Sequence, residues 1–285
     1  MLFTLLSSLY AVAIFGLPAL ALWGALQLAQ GNTLVEIVVL AFAPIAYALG
    51  SGVVAGVLSR FHRAHVVAGK FSRDLASRPY MHRRLYGLCW TAVYYFTPAY
   101  FLWLSLPGGK HALFRLFGYR GQTAFTTYPD TWVRDLPLLV LGRGAYLSNR
   151  ATIGTNIVLM GGEILVDSIE VGADAIVGHL AMLAPGVVVG ARAEIGVGCA
   201  IGIKVTIGEG AQFGPNCSIE HGAVIGANAR VGVLTFVGSG SVVGAGVVLP
   251  PRTFVPRRTK LLTQADADAL IAGAAGVGVS ARSAG

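Results

Sequence analysis

From Leu141 to Val255 every sixth residue is a bulky aliphatic or Phe. The series runs through Leu147, Ile153, Leu159, Leu165, Val171 and Val177 to Val243 and Leu249 without a slip. The next residue is often Gly, as at Gly142, Gly178, Gly190, Gly202 and Gly208. Two residues before the aliphatic stands a small or β-branched side chain in most hexads, including Ala175, Ala181, Cys199, Cys217 and Ser241. A fixed short period of this kind marks a stacked repeat. It predicts a mainly β structure over 136–258, a coil of short parallel strands with the aliphatics inward. Gly is expected at the corners for its backbone freedom, and the unbroken period predicts stacked turns with no loop between them.

The first part of the chain follows another pattern. Residues 2–29 and 34–58 are two apolar runs separated by Gly31-Asn32-Thr33, with Glu36 just beyond. Each is long enough to cross about 30 Å of hydrocarbon as a helix. The first lacks a basic start and a second run follows at once, which argues against a signal peptide. Residues 1–58 are thus read as a transmembrane helical hairpin; a buried hairpin of a soluble protein is the alternative. Arg60, Arg63, Lys70, Arg73, Arg78, Arg83 and Arg84 follow, opposed only by Asp74. Next to an apolar hairpin this points to an anionic cytoplasmic membrane surface, not to nucleic acid.

Residues 59–135 are read as a basic, aromatic, interfacial helical segment. Within it Tyr86–Leu106 carries Trp90, Tyr94, Tyr95, Tyr100 and Trp103, residue types of a membrane interface. Pro98 would break or kink a helix there. A re-entrant or surface-lying element is expected, with a further crossing as the alternative. His62 and His65 fit a solvated helix face. The tail, 259–285, is expected to form a short helix over 264–272 and then an Ala-, Gly- and Ser-rich disordered end. A net charge of +8 with 12% charged residues and 55% hydrophobic ones suits a basic membrane protein. Cys89, Cys199 and Cys217 make no disulfide framework, and the last two, eighteen apart, read as stacked small core residues.

With its glycines and small residues in register, the stretch 141–258 resembles the hexapeptide-repeat acyltransferase superfamily. The resemblance implies a left-handed parallel β-helix with three hexads to a triangular turn, hence about six and a half turns. It also implies a homotrimer with sites between subunits, and acyl transfer from a CoA or carrier-protein thioester with no permanently bound cofactor. The order of apolar hairpin, basic aromatic segment and coil, entered through Tyr128-Pro129-Asp130, is similar to a membrane-linked branch. That branch includes the C-terminal domains of polylysine-type nonribosomal peptide synthetases and free-standing envelope acyltransferases. In related O-acetyltransferases a Thr-His pair supplies the base; the corresponding place here reads Thr155-Asn156. Asn cannot accept that proton.

Such a reaction needs a general base, usually His, to deprotonate the acceptor. The coil offers His179 and His221, each two residues past an inward aliphatic and so at a corner. They lie two turns plus one face apart. His221 is preferred because Glu220 and Asn216 are near it in sequence. Arg192, Lys204 and Arg230 project from the coil as candidates for the phosphates of coenzyme A. The coil has no close His pair to hold a metal, and none is expected. Gly208-Glu209-Gly210 and Gly238-Ser239-Gly240 are corners in register, not phosphate loops. The expected function is acyl transfer to a hydroxyl or amine of a lipid-linked or envelope-associated acceptor. The protein would sit in a bacterial inner membrane with the coil on the cytoplasmic side, its partners being membrane lipid and the thioester donor or carrier protein. A non-catalytic scaffold of a peptide-synthetase or envelope-polymer machine is the alternative.

Overall fold

The computed structural model describes residues 2–280. The chain forms two compact units. Among the described residues, one comprises 2–120, 134–138 and 158–164; the other comprises 121–133, 139–157 and 165–280.

The first unit opens with helices α1 (Leu2–Ala29) and α2 (Thr33–Ser59). Gly31 turns the chain at φ 88, and the Asn32 side chain caps α2 by accepting from the Val35 N–H at 3.3 Å. Both helices are long and apolar enough to cross a membrane, and only 11% and 17% of their apolar windows are buried. The core helix of a soluble protein hides such a surface, whereas Leu9, Leu20, Trp23, Leu34, Ile37 and Leu40 are exposed.

Three shorter helices follow: α3 (Arg78–Tyr94), α4 (Thr97–Ser105) and α5 (Gly109–Leu116). Pro98 does not kink a helix. It sits in the first turn of α4, where its missing N–H has no intrahelical partner to lose. The aromatics expected at a membrane interface are mostly inside the unit instead. Trp90 and Tyr100 are fully buried and Trp103 nearly so, while Tyr95 stays 70% exposed. The break before α4 lets these rings meet one another: Trp90 stands edge-on to Phe117 at 5.0 Å and to Tyr100 at 5.8 Å.

His62 is not on a solvated face either. It is buried, with Nδ1 2.8 Å from His82 Nδ1 and Nε2 2.9 Å from the Tyr10 hydroxyl, and His65 stacks on His82 at 3.9 Å. Burial first, then the charges of His82 and His65, push the His62 imidazole down to about 4 from 6.5. An unfolded chain therefore takes up a proton here that the folded one refuses. This contribution is complete above pH 6.5 and is lost as pH falls toward 4. It amounts to on the order of 2 kcal/mol after solvent screening. Melting curves between pH 7 and 4.5 should flatten in His62→Gln; an unchanged pH dependence would refute the assignment.

The second unit is a left-handed parallel β-helix of three seven-stranded sheets. Face I begins at Thr126–Thr127, face II at Trp132–Val133 and face III at Leu139–Leu141. The last strand is Lys260–Leu261. The coil thus extends beyond 136–258 at both ends, and its faces hold seven strands each where about six and a half turns were expected. Successive rungs are eighteen residues apart, as in Met182 to Ala200, and the inward Val177, Ile195, Ile207, Ile219 and Val237 are buried.

One loop does interrupt the coil. Thr152 pairs with Met182, thirty residues on, so this rung carries twelve extra residues. They form a hairpin with strands Asn156–Val158 and Ile164–Val166. Leu159, though in phase with the repeat, is only half-buried in it. Twelve is two hexads, so the insertion left the sequence period untouched.

The glycines also act differently from expectation. The left-handed torsions fall three residues after most of the aliphatics, at Leu180, Lys204 and Asn216 among others. Gly just after the aliphatic is required by close approach: a Cβ on Gly178 would stand 2.6 Å from the Ile195 carbonyl oxygen of the next rung. Cys199 and Cys217 are free and buried, their Sγ atoms both 3.2 Å from the Gly214 carbonyl. The tail forms α6 (Gln264–Ser280), longer than the helix expected over 264–272; the remaining residues, 281–285, for which disorder was expected, lie outside the described ones.

Candidate active site

The corner after face II bears an elongated groove of about 360 Å³. Its floor is a ladder of outward side chains in register, Thr152, Met182, Ala200 and Ser218. Ile157, Met182 and Pro185 make its lining apolar. Met182 is 53% exposed and Ile157 40%. The groove exists because the hairpin replaces a plain corner on the rung of Gly154, raising Asn156 and Ile157 beside the ladder.

Polar groups stand at the two ends. Asn156 lines one, and Glu220 and His221 line the other. Three rung steps separate them, about 14 Å at strand spacing. The two ends therefore serve different parts of a bound molecule.

His221 is held by its own stack. The backbone N–H of Ile203 donates to His221 Nδ1 at 3.0 Å. Gly202, one rung below, leaves the room: a Cβ there would lie 2.6 Å from that nitrogen. A neutral imidazole accepting at Nδ1 carries its proton on Nε2. In this arrangement the ring is a donor. It becomes a proton acceptor on turning over about Cβ–Cγ, which gives up one hydrogen bond at about 1 kcal/mol. Glu220 lies beside it in the groove. Asn216, also expected to orient the ring, is on the corner between faces I and II, with its Oδ1 facing Gly198.

His179 stands on that same other corner, half-buried and outside the groove. It is two rungs from His221, about 10 Å along the coil. A rotation about an axis parallel to the coil keeps that offset, so the two imidazoles cannot act on one carbonyl in a trimer of that symmetry.

The three basic candidates are not brought together. Arg192 pairs with Glu209 at the corner after face III. Arg230 lies in a ladder on face I with Gln212 and Glu194. Lys204 alone is on the groove's corner, with Nζ 4.0 Å from Asp167. Among the described residues no group of three or more His, Cys, Asp or Glu side chains could hold a metal ion.

The profile of the bacterial transferase hexapeptide (six repeats) family matches residues 204–233, the rungs that carry His221. The matched residues lie within the stacked coil, so the match covers part of the second unit and shows a hexapeptide repeat there. Among curated proteins none matches it. Among solved structures, PerB from Caulobacter crescentus, with CoA and GDP-perosamine bound, is 24% identical at a TM-score of 0.21. That match covers 52% of this chain and 59% of PerB, so this chain accounts for under two thirds of PerB's length. The acetyltransferase domain of PglB from Neisseria gonorrhoeae, with acetyl coenzyme A, is 16% identical at a TM-score of 0.22, covering 56% of this chain and 72% of that domain. The UDP-N-acetylglucosamine acyltransferase of Francisella novicida is 13% identical at 0.20, covering 48% and 67%.

Proposed function

We propose that this hexapeptide-repeat protein is a membrane-anchored acyltransferase. It would move an acyl group from a CoA or carrier-protein thioester to a hydroxyl or amine of a lipid-linked or envelope-associated acceptor. The observation that carries this reading is the apolar groove on the face II corner with His221 at one end. The acyl thioester lies along the ladder, with Asn156 hydrogen-bonding an amide of the pantetheine arm and Lys204 near a donor phosphate. His221, turned to accept, takes the acceptor's proton. The acceptor attacks the thioester carbonyl, the C–S bond breaks, and the thiolate leaves with the proton from the imidazolium.

Two exposed apolar helices support anchoring in a membrane, and the basic run after α2 supports a cytoplasmic coil, where thioesters are found. Exposed Ile176, Val188 and Val224 on the outer faces support self-association as a trimer. The test is incubation of the protein in lipid nanodiscs with labelled acyl-CoA and lipid extracts from wild-type and deletion cells. Label should enter an extractable product. Thioester left intact under every acceptor supply would exclude the reading.

One observation favours a second reading. Asn156 stands where the resembling O-acetyltransferases place their base, and His221 rests as a donor. A non-catalytic, ligand-holding scaffold shares this geometry, and would bind the thioester without consuming it.

A further inference from the structure

The first unit holds a second site. At the end of α2, Arg60, Arg63, Arg115 and Arg120 line one cavity of about 270 Å³ with Gly118, Tyr119 and Pro137. Three of these arginines, Arg60, Arg63 and Arg115, also line a neighbouring cavity of about 500 Å³, whose other walls are Val53, Trp103, Ala112 and Leu116. A cavity lined by four arginines thus shares three of them with a more apolar slot. Val53 and Arg60 are seven residues apart on α2, so the slot follows that helix for about 10 Å away from the charged end.

These cations have no acid to answer them. Among the described residues none of the four forms an ion pair. The only acids in residues 1–120 are Glu36, at the far end of α2, and Asp74. The C-terminal carbonyls of α2 favour one nearby cation, which accounts for Arg60 and not for the other three. The site is also built. Arg115 is fixed by donating to the carbonyls of Tyr119 and Arg120, at 3.3 and 3.0 Å. Gly118, at φ 88, makes room for Arg63: a Cβ there would stand 3.1 Å from Arg63 Cδ. Like charges gathered around one cavity repel unless an anion joins them, and planar guanidiniums match phosphate oxygens in pairs.

We infer that this cavity binds the phosphate headgroup of an anionic membrane lipid, with an acyl chain of the lipid in the apolar slot along α2. The slot is what favours a lipid over a free anion, since inorganic phosphate has nothing to place there. The inference rests on the reading that α1 and α2 lie in a membrane.

The test uses the full chain. Flotation with phosphatidylcholine vesicles reads membrane insertion alone. Native mass spectrometry and melting curves then compare phosphatidylglycerol, phosphatidylcholine and inorganic phosphate as probes. Wild type should float with phosphatidylcholine, retain phosphatidylglycerol at least tenfold over phosphatidylcholine, and gain melting temperature from phosphatidylglycerol only. R60Q/R63Q should still float and lose both effects, and R115Q should weaken them if the double variant folds poorly. R150Q, an arginine of the coil, should keep them. Flotation with no selective retention would overturn the lipid site and leave the membrane reading standing. Failure to float would overturn both. Equal stabilisation by inorganic phosphate would overturn the assignment to a lipid.

Discussion

Replacing His221 with Ala should lower thioester consumption by about 10²- to 10⁴-fold, the usual range for loss of a positioned general base. His179→Ala should stay within about threefold of wild type, because His179 lies some 10 Å along the coil from the groove. The contrast follows from position and not from any difference in imidazole chemistry. His221 lines the apolar groove, while His179 sits on another corner outside it. His221 also has a distinct signature. Its Nδ1 is occupied by the Ile203 N–H, so the turned, proton-accepting ring must first surrender that bond. Freeing the ring should therefore cost the rate a factor of about 5 to 10, the equivalent of about 1 kcal/mol. CoA release followed with a thiol reagent over a pH series measures both effects. Full activity in both His variants would remove histidine from the mechanism.

Asp135→Asn should destabilise the first unit by about 3 to 5 kcal/mol, the cost of stranding a buried charge. Asp135 is fully buried and pairs with Arg83, itself 3% exposed. Arg134 Nε lies 3.8 Å from the other carboxylate oxygen. Asp135 also adopts a left-handed backbone at φ 52. Asn tolerates that conformation, so the variant isolates the charge from backbone strain. The double variant R83M/D135N removes both buried charges and should recover more than half of the loss. Thermal and denaturant melts of the two variants in detergent check this. A double variant no more stable than the single one would show that the pair stabilises more than it costs to bury.

The six-residue period made the coil legible because each inward aliphatic fills one side of a narrow prism. The same regularity hid the hairpin, since twelve inserted residues keep Leu159 and Leu165 in phase. The corner glycines were visible as a pattern, but their cause was not. Only the stacked structure shows that Gly178 is needed for the rung above it and that Leu180 takes the left-handed torsion. The aromatics of α3 and α4 have the same composition at a membrane interface and in a small core. Their burial depends on the chain break before Pro98, which fixes which rings meet. Of the site, the sequence singled out His221 and noted Asn156 without joining them. Their shared groove is assembled from rungs thirty, eighteen and eighteen residues apart. The partner of His221, the Ile203 N–H, is a backbone group that no side-chain pattern announces. The arginines of the α2 cavity were half visible: Arg60 and Arg63 stood in the basic run, but Arg115 and Arg120 joined them only through the packing of α5.

The groove itself can be tested by filling it. Met182 lies on its floor and is exposed, so Met182→Trp should block a thioester chain while leaving the buried aliphatic stack intact. The decisive measurement is CoA release from acyl-CoA by wild type and Met182→Trp in the same nanodiscs, with melting temperatures recorded alongside. Acyl transfer in the groove predicts release by wild type and at least a tenfold loss in the filled variant at an unchanged melting temperature. Equal release by both proteins would contradict it.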